Sequence, residues 1–295
     1  MTRRATAVVG VGCMGLPMAL RLLDAGFAVT VRDVIASREE EARAAGARAV
    51  ASAGEAAAAT SATVVAVVDD ADVEAVLFGA GGIADGAARG HAVVLCSTLS
   101  PGSVESAAIR LGERGIDCID APMSGGPARA RDGSMSLMVA GDDSVVARHG
   151  ALLDALSSRI VRVGTRPGDG ARTKLVNNLL AAVHLAGAAE AIALAERLGL
   201  DPARTLDVIE QSSGQSWIGS DRLRRALAGD LVPRARTALL AKDSRLAMAM
   251  ADAAGFEPTL GRVAAALFAR ACREGSADLD DASLLDVVRR LPLSS

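Results

Sequence analysis

The pattern of apolar and polar positions changes once along the chain, near residue 164. Up to that point, short apolar or β-branched runs alternate with segments rich in Ala, Glu and Arg. The runs that we predict to be strands are residues 5–9, 27–32, 62–68, 91–96, 116–119, 135–140 and 159–163. Strands and helices in alternation are typical of βαβ units, so this part is predicted to be α/β with a mainly parallel sheet.

After residue 164 the strand pattern stops and helical patterns remain. Residues 169–198 contain no proline and many Ala and Leu residues, which predicts one long helix. Further helices are predicted over residues 201–211, 220–228, 238–254 and 260–274. We therefore predict two domains, an α/β domain over residues 1–163 and an all-helical domain over 164–295, with the long helix between them and a shared cleft.

Composition and charge exclude several classes of function. The 295 residues are 51% hydrophobic with a net charge of -3, so we expect a folded chain without a nucleic-acid partner. The four cysteines are far apart and have no neighbouring histidines, which argues against a disulfide framework or a metal site. Glycines interrupt the apolar run at 5–20, and the apolar region of a secretory signal does not need such a spacing. No other apolar run reaches the ~20 uncharged residues that a membrane-spanning helix requires. These observations predict a cytoplasmic protein that does not bind a membrane.

A glycine-rich loop separates the first predicted strand from a predicted helix at 16–25. Its spacing is G-x-G-x-x-G, in which glycines allow a tight turn and a close approach of the backbone to a pyrophosphate. The residues assigned to dinucleotide binding are Gly10, Val11, Gly12, Cys13, Met14 and Gly15. Asp33 closes the second predicted strand, where a carboxylate accepts hydrogen bonds from the ribose hydroxyls and repels a 2′-phosphate. NAD is therefore favoured over NADP, although the neighbouring Arg32 could in principle face a phosphate.

A second candidate loop follows the predicted strand at 116–119. Ligands of open α/β sheets bind outside the carboxyl ends of the strands. The residues of interest are Ser124, Gly125 and Gly126. One hydroxyl and two amides without side chains suit the carboxylate of a small substrate, and an ordinary polar turn is the alternative.

The long predicted helix carries Lys174, whereas 30 of the 32 basic residues are arginine and the other lysine is Lys242. Arg stays protonated, but a desolvated Lys can exchange a proton near neutral pH, so we predict that Lys174 transfers a proton as a general acid/base. A surface lysine with asparagines beside it by chance is the alternative. Asn177 and Asn178, the only asparagines, lie on the same turn, so the amine and the amides are expected to point together. We list both as candidate substrate-binding residues, a role that depends on the resemblance described below. From spacing alone, Lys242 either closes over the cofactor or pairs with an acidic neighbour. His184, on an apolar helix, is predicted to be a packed core residue, and a residue that lines the cleft is the alternative.

Five motifs in this order resemble the β-hydroxyacid dehydrogenase family, which includes 3-hydroxyisobutyrate dehydrogenase, L-threonate dehydrogenase and tartronate semialdehyde reductase. They are the loop at 10–15, Ser-Thr-Leu-Ser-Pro at 97–101, residues 120–126, the turn around Lys174, and Lys242-Asp243. The resemblance implies a Rossmann domain, a long interdomain helix, a helical second domain, and a homodimer or homotetramer. It also implies that Lys174 is the general acid/base.

The resemblance assigns roles to further residues. Those that would hold the substrate are Ser124, Gly125, Gly126 and Asn178. Those that would contact the dinucleotide are Val67, Val68, Asp72, Thr98 and Lys242. Two features depart from the family pattern: Val67-Val68 stands where relatives commonly have Leu-Pro, and Arg172 and Thr173 make the approach to the lysine more polar than usual.

Together these expectations define a reaction and its alternatives. We expect hydride transfer between NAD(P) and the β-hydroxyl carbon of a small 3-hydroxy acid, as in 3-hydroxyisobutyrate dehydrogenase. L-threonate dehydrogenase and tartronate semialdehyde reductase are the alternative activities. A nicotinamide-binding sensor without turnover is the alternative of another class, because it would need the glycine-rich loop and Asp33 but no titratable lysine. An imine reductase is a third, which the lysine disfavours because those relatives usually lack it.

Overall fold

Two units make up the chain, Met1–Lys174 and Leu175–Ser295, which we call the N-terminal and the C-terminal unit. The structure, a computed structural model, describes residues 4–291. Residues 1–3 and 292–295, which belong to the predicted domains, lie outside the described residues. The predicted division at residue 164 falls in the segment before the long helix, and it stays a prediction.

Over the described residues, the N-terminal unit contains a nine-stranded sheet. Its strands are β1 Ala5–Val9, β2 Ala28–Arg32, β3 Arg48–Ala49, β4 Ala62–Val65, β5 Ala92–Leu95, β6 Asp117–Asp120, β7 Met123–Ser124, β8 Ser136–Ala140 and β9 Arg159–Gly164. The sheet order is β3-β2-β1-β4-β5-β6-β8-β7, with β9 paired to β8. All pairs from β3 to β6 are parallel; Val8, for example, pairs with Val31 and with Val64. The predicted fold, α/β with a mainly parallel sheet, is confirmed.

Side chains from both faces of this sheet are buried. The helices of the unit are α1 Gly15–Asp24, α2 Ala36–Ala44, α3 Ala53–Ala58, α4 Asp70–Phe78, α5 Ile83–Gly86, α6 Pro101–Glu113, α7 Gly126–Asp132, α8 Asp143–Arg148 and α9 Gly150–Leu156. Successive strand residues point to opposite faces. Val8 and Val64 accordingly belong to one core, and Val9 and Val65 to the other. Burial on both faces explains why these strands are continuous apolar runs.

Antiparallel pairing between the strands is confined to one end of the strand order. β8 runs antiparallel to β6, at Asp120 and Ala140, and antiparallel to β7. The strands β3 and β7 have two residues each, which is too short for a sequence pattern, and the sequence analysis misses both. β4 ends three residues earlier than predicted, so residues 66–68 form a loop.

The C-terminal unit is helical and begins within α10, Asp169–Arg197. Its other helices are α11 Pro202–Glu210, α12 Trp217–Leu227, α13 Thr237–Ala253, α14 Thr259–Ala271 and α15 Leu284–Arg289. The predicted helix at 260–274 is interrupted, because a π-helical turn, Cys272–Ser276, follows α14. A 3-10 turn, Asp281–Ser283, and α15 are elements that the sequence analysis does not predict. The helical character of this part of the chain is confirmed.

Helix α10 is long and apolar enough to cross a membrane by length and composition alone, the one such helix among the described residues. Core helices of globular proteins pass the same test. The α10 residues in the core of the C-terminal unit are Ala182, Leu185, Ala186, Ala189, Ile192 and Ala193. Their spacing of three and four residues is that of one helix face packed against neighbouring helices, as in a core helix.

Candidate functional site

The glycine-rich loop lies between β1 and α1, where the strand order reverses. β1 pairs with β2 on one side and β4 on the other, an arrangement that opens a crevice at the carboxyl ends of the strands. Gly10 has a φ of +86°, and a Cβ there would lie 2.7 Å from the carbonyl oxygen of Ala66. A Cβ on Gly15 would lie 1.7 Å from the carbonyl oxygen of Gly10. Glycine is thus required at both positions, and the resulting cradle before a helix N-terminus fits a pyrophosphate.

Asp33 follows β2 and lies beside this loop. Its Oδ2 accepts a hydrogen bond of 2.8 Å from the amide of Val11, and its Oδ1 accepts one of 2.8 Å from the amide of Ile35. Asp33 is 6% exposed, so these two amides hold its carboxylate in one position. Each oxygen keeps a second lone pair, which can accept a ribose hydroxyl. The structure therefore brings the loop and Asp33 together.

Two arginines near Asp33 have different surroundings. Nη1 of Arg32 donates to Oε1 of Glu39 at 2.9 Å and to the carbonyl oxygen of Asp33 at 2.7 Å. Glu39 also accepts from the amide of Asp33 at 2.8 Å. Arg38, which the sequence analysis does not single out, lies with its Nη1 3.9 Å from Oδ1 of Asp33. Arg32 is thus held by a carboxylate, whereas Arg38 lies against the residue assigned to the ribose.

The loops after β4 and β5 carry the other predicted cofactor residues of this unit. Oγ of Ser97 donates to the carbonyl oxygen of Val67 at 2.8 Å, and this bond joins the two loops. The amide of Val68 donates to Oδ2 of Asp72 at 3.2 Å. Val68 is 58% exposed although apolar, and Thr98 is half-buried. Because these strands are parallel to β1, the residues that follow them lie at the same edge of the sheet as the glycine-rich loop.

Asp120, the last residue of β6, holds the start of α10. Its Oδ2 accepts hydrogen bonds from the amides of Gly168 at 2.7 Å and Ala171 at 3.0 Å. A Cβ on Gly170 would lie 2.8 Å from this carboxylate, so the helix approaches too closely for a side chain. Asp120 is 1% exposed, and burial raises the pKa of its carboxyl to about 6, although the amide bonds lower it. Lys174 follows Ala171 by about one helical turn and is 7% exposed.

The polar residues before Lys174 are engaged with other groups. Nη2 of Arg172 lies 2.5 Å from Oε1 of Glu105, and its Nη1 lies 3.3 Å from Oδ1 of Asp169. Oγ1 of Thr173 donates to the carbonyl oxygen of Asp169 at 2.8 Å. These contacts fix the first turns of α10, so the polar character of this segment has a structural explanation.

Ser124 and the two following glycines form the turn between β7 and α7. Gly125 has a φ of +140°, and a Cβ there would lie 2.9 Å from Cδ of Arg129. Gly126 is the first residue of α7. Ser124 is half-buried, and within residues 4–291 its hydroxyl makes no hydrogen bond. The turn therefore offers a hydroxyl and main-chain amides to a ligand, a few residues beyond the carboxyl end of β6.

A second group of predicted site residues lies within the C-terminal unit. Nδ2 of Asn178 donates to Oδ2 of Asp243 at 2.6 Å, and Nδ2 of Asn177 donates to Oδ1 of Asn178 at 3.0 Å. Nζ of Lys242 lies 3.1 Å from Oδ1 of Asp243. A carboxylate only accepts hydrogen bonds, so Asp243 determines which way the amide of Asn178 points. Spacing alone leaves two interpretations for Lys242, closure over the cofactor or pairing with an acidic neighbour. The structure shows the ion pair with Asp243.

One prediction from the sequence concerns a side chain that the structure places elsewhere. His184 is exposed, so the prediction that it is a core residue is wrong: it lies on a side of α10 that the core of the C-terminal unit does not cover. Burial raises the pKa of the Cys96 thiol to about 12, and that of Cys118 is also raised, so neither is a reactive thiolate. In the described part of the chain, no cluster of three or more His, Cys, Asp or Glu residues could hold a metal ion.

Comparison with known families matches nearly the whole chain. Residues 5–164 match the family described as the NAD binding domain of 6-phosphogluconate dehydrogenase. Residues 168–288 match the family described as NAD-binding of NADP-dependent 3-hydroxyisobutyrate dehydrogenase. The predicted use of NAD(P) is confirmed.

Individual relatives cover both units. An L-threonate dehydrogenase of Cupriavidus necator is 35% identical over 96% of this chain and 96% of its own length. A 2-hydroxy-3-oxopropionate reductase of Escherichia coli is 31% identical over 95% of both chains. Among solved structures, a 3-hydroxyisobutyrate dehydrogenase of Salmonella typhimurium is 34% identical, with a TM-score of 0.90 over 96% of this chain and 99% of that chain.

Proposed function

This chain belongs to the β-hydroxyacid dehydrogenase family and is an NAD(P)-dependent hydroxyacid dehydrogenase; on that premise, we propose that Lys174 is its general acid/base. The observation that carries the proposal is the burial of Lys174, 7% exposed, one helical turn beyond the point where Asp120 holds α10. Arginine could not replace it, because the role requires a side chain that loses and regains a proton. A sensor would have no use for such a group.

The remaining site residues are proposed to position the two reactants. The cofactor-binding residues are Gly10, Val11, Gly12, Cys13, Met14, Gly15, Asp33, Val67, Val68, Asp72, Thr98 and Lys242. The substrate-binding residues are Ser124, Gly125, Gly126, Asn177 and Asn178. When bound, NAD(P) supplies the nicotinamide carbon that accepts or gives the hydride. We propose NAD as the preferred form, supported by the buried carboxylate of Asp33 at the ribose position.

In the direction of oxidation, neutral Lys174 takes the proton of the substrate hydroxyl at its Nζ, and the lysine leaves this step as an ammonium. In the direction of reduction, the ammonium returns that proton to the oxygen. The hydroxyl and main-chain amides of Ser124, Gly125 and Gly126 hold the substrate carboxylate. One N–H of Asn178 Nδ2 is bonded to Asp243, and the second donates to the oxygen of the substrate hydroxyl. The protein thus contributes position and proton transfer.

We favour L-threonate as the substrate, supported by the relative that is 35% identical over nearly its whole length. 3-Hydroxyisobutyrate is the second candidate, supported by the structural match with a TM-score of 0.90. 2-Hydroxy-3-oxopropionate, also called tartronate semialdehyde, is the third, supported by the reductase at 31% identity. All three are small hydroxy acids, so the proposed carboxylate site serves each of them.

The test is the absorbance of reduced nicotinamide with NAD and NADP in parallel. L-Threonate, 3-hydroxyisobutyrate, glycerate, L-serine and 3-hydroxypropionate are offered for oxidation, and 2-hydroxy-3-oxopropionate for reduction. We expect the highest kcat/KM with L-threonate and NAD. A higher value with another acid would replace the substrate, and no turnover with any acid would contradict the proposal.

We also propose that the chain acts in the cytoplasm as a homodimer or homotetramer. The C-terminal unit exposes several large apolar side chains, including Val176, Leu180, Leu194, Leu260 and Val263, each more than half exposed. A surface of this kind is typical of a protein interface, and the family resemblance supports a second copy of the chain as the partner. Light scattering after size-exclusion chromatography should give two or four times the mass of one chain, 29.8 kDa. A mass of one chain would contradict the oligomer.

A further inference from the structure

Arg38 lies against both parts of the cofactor cradle that would surround the adenosine ribose. A Cβ built on Gly12, the middle glycine of the loop, would lie 3.3 Å from Nη1 of Arg38. The same Nη1 lies 3.9 Å from Oδ1 of Asp33. The guanidinium group therefore lies next to the loop assigned to the pyrophosphate and the carboxylate assigned to the ribose. Its side chain is 36% exposed, so it can be reached from solvent.

The hydrogen-bonding groups of Arg38 are not used elsewhere. Within residues 4–291, the guanidinium of Arg38 makes an ion pair with Asp33 but no hydrogen bond. The distance of 3.9 Å is too long for a hydrogen bond. Asp33 already accepts hydrogen bonds from two main-chain amides, so it does not depend on Arg38 for its position. Several N–H donors of Arg38 are thus available to an anion in this place.

Arg32, the other arginine near the ribose position, does not have this freedom. Its Nη1 is bonded to Glu39 and to a main-chain carbonyl oxygen. Moving Arg32 to a phosphate would leave the carboxylate of Glu39 without this partner in a residue that is 9% exposed. Of the two arginines, Arg38 is the one that can move to an anion at little cost.

We infer that Arg38 is the residue through which this cofactor site accepts the 2′-phosphate of NADP. The charge of Asp33 opposes a phosphate beside the ribose, and the guanidinium at 3.9 Å offsets that charge and offers donors to the phosphate oxygens. NAD has a hydroxyl in the same position and gains much less from a cation. The presence of Asp33 at the end of β2 therefore does not exclude NADP, and Arg38 sets how far NAD is preferred.

This inference rests on the cofactor site and on no particular substrate, so its test is direct binding without substrate. The dissociation constants of NAD and NADP are measured by titration calorimetry for the wild-type protein and for Arg38→Gln. A charge-assisted hydrogen bond lost from a phosphate weakens binding by about 10–100-fold. We expect that weakening for NADP, with the constant for NAD changed less than about threefold. Arg38→Lys, which keeps the charge, should restore most of the NADP affinity.

Arg43→Gln is the matched control. Arg43 lies on the same helix, α2, is exposed, and pairs with Glu40. We expect it to leave both dissociation constants unchanged. If Arg38→Gln weakened the binding of NAD and NADP equally, the inference would be overturned, because Arg38 would then contact a part of the dinucleotide that both cofactors share. Unchanged NADP binding, or a wild-type protein that binds NAD but no NADP, would overturn it as well. A protein that binds both but oxidises no hydroxy acid would leave it intact and contradict the proposed function instead.

Discussion

The two units hold their candidate site residues in different ways. In the N-terminal unit, main-chain groups fix the acidic side chains: Asp33 accepts from the amides of Val11 and Ile35, and Asp120 from two amides at the start of α10. In the C-terminal unit, Asp243 is contacted by two side chains, the amide of Asn178 and the ammonium of Lys242. The first arrangement depends on the fold, and the second on a few side chains.

This difference suggests a division of tasks. A site built from main-chain amides and glycines has one geometry, which suits a cofactor common to a whole family. A site built from side chains changes with single substitutions, which suits the recognition of different small acids. We therefore expect changes in the N-terminal unit to affect cofactor binding or the stability of the fold, and changes at Asp243 to affect use of the hydroxy acid. The exceptions are Lys174 and the turn at 124–126, which belong to the N-terminal unit but are proposed to act on the substrate. Lys242 belongs to the C-terminal unit but is proposed to contact the cofactor.

The largest effect is expected from Lys174→Ala. Loss of one general acid/base lowers kcat by about 10²–10⁴-fold. The dissociation constant of NADH, followed by its fluorescence, should stay within about threefold of the wild-type value. Lys174→Arg keeps the charge but not the exchangeable proton, so it should be impaired to a similar degree. An arginine variant with wild-type turnover would show that only the charge matters.

The next largest effect is expected from Gly15→Ala. Its Cβ would lie 1.7 Å from the carbonyl oxygen of Gly10, so the loop has to move. Overpacking of this kind costs about 1–3 kcal/mol, and we expect it both in the free energy of unfolding and in NADH affinity. Gly112→Ala is the matched control, because a Cβ there meets no atom within 4 Å. If Gly15→Ala bound NADH like the control, the loop would not be the cofactor site.

Asp120→Asn tests the main-chain anchor of α10 through pH. Burial raises the pKa of Asp120 to about 6, from an ordinary value of 3.8. A raised pKa means that this carboxyl stabilises the fold fully below pH ~4 and that the contribution is lost as the pH rises through ~6. Between pH 4 and pH 7, the free energy of unfolding of the wild type should therefore fall by up to about 3 kcal/mol relative to that of Asp120→Asn. Denaturant unfolding curves of both proteins at each pH measure this difference. If the free energies of unfolding of the two proteins changed equally with pH, the prediction would be contradicted.

The smallest effect is expected from Asp243→Ala. Without this carboxylate, the amide of Asn178 loses its fixed orientation, and kcat/KM for the hydroxy acid should fall about tenfold, the usual effect of one hydrogen bond to a charged group. Asp252→Ala is the matched control on the same helix, where the carboxylate is exposed and pairs with Arg262. If the two variants had the same kcat/KM, Asp243 would not orient the site.

The fold and much of the candidate site can be predicted from local patterns. The strands, the glycine-rich loop and Asp33 each have a signal within about 30 residues of sequence. The role of Asp120 in holding α10 has no such signal, because the amide of Gly168 is 48 residues from it in sequence. Arg38 is close to Asp33 in sequence, but only the fold of the loop and α2 shows that its guanidinium lies beside Gly12 as well. The exposure of His184 was missed for a similar reason, since an apolar helix does not reveal which of its sides a core covers. The two-residue strands β3 and β7 are too short to be seen.

The central claim, that Lys174 carries the proton of the reacting hydroxyl, is tested most directly by chemical rescue. Small primary amines are added to Lys174→Ala in the presence of NAD and the best hydroxy acid, and turnover is followed through reduced nicotinamide. We predict that turnover rises with amine concentration and depends on the basicity of the amine, while the wild type does not respond. Wild-type turnover by Lys174→Ala without any amine would contradict it.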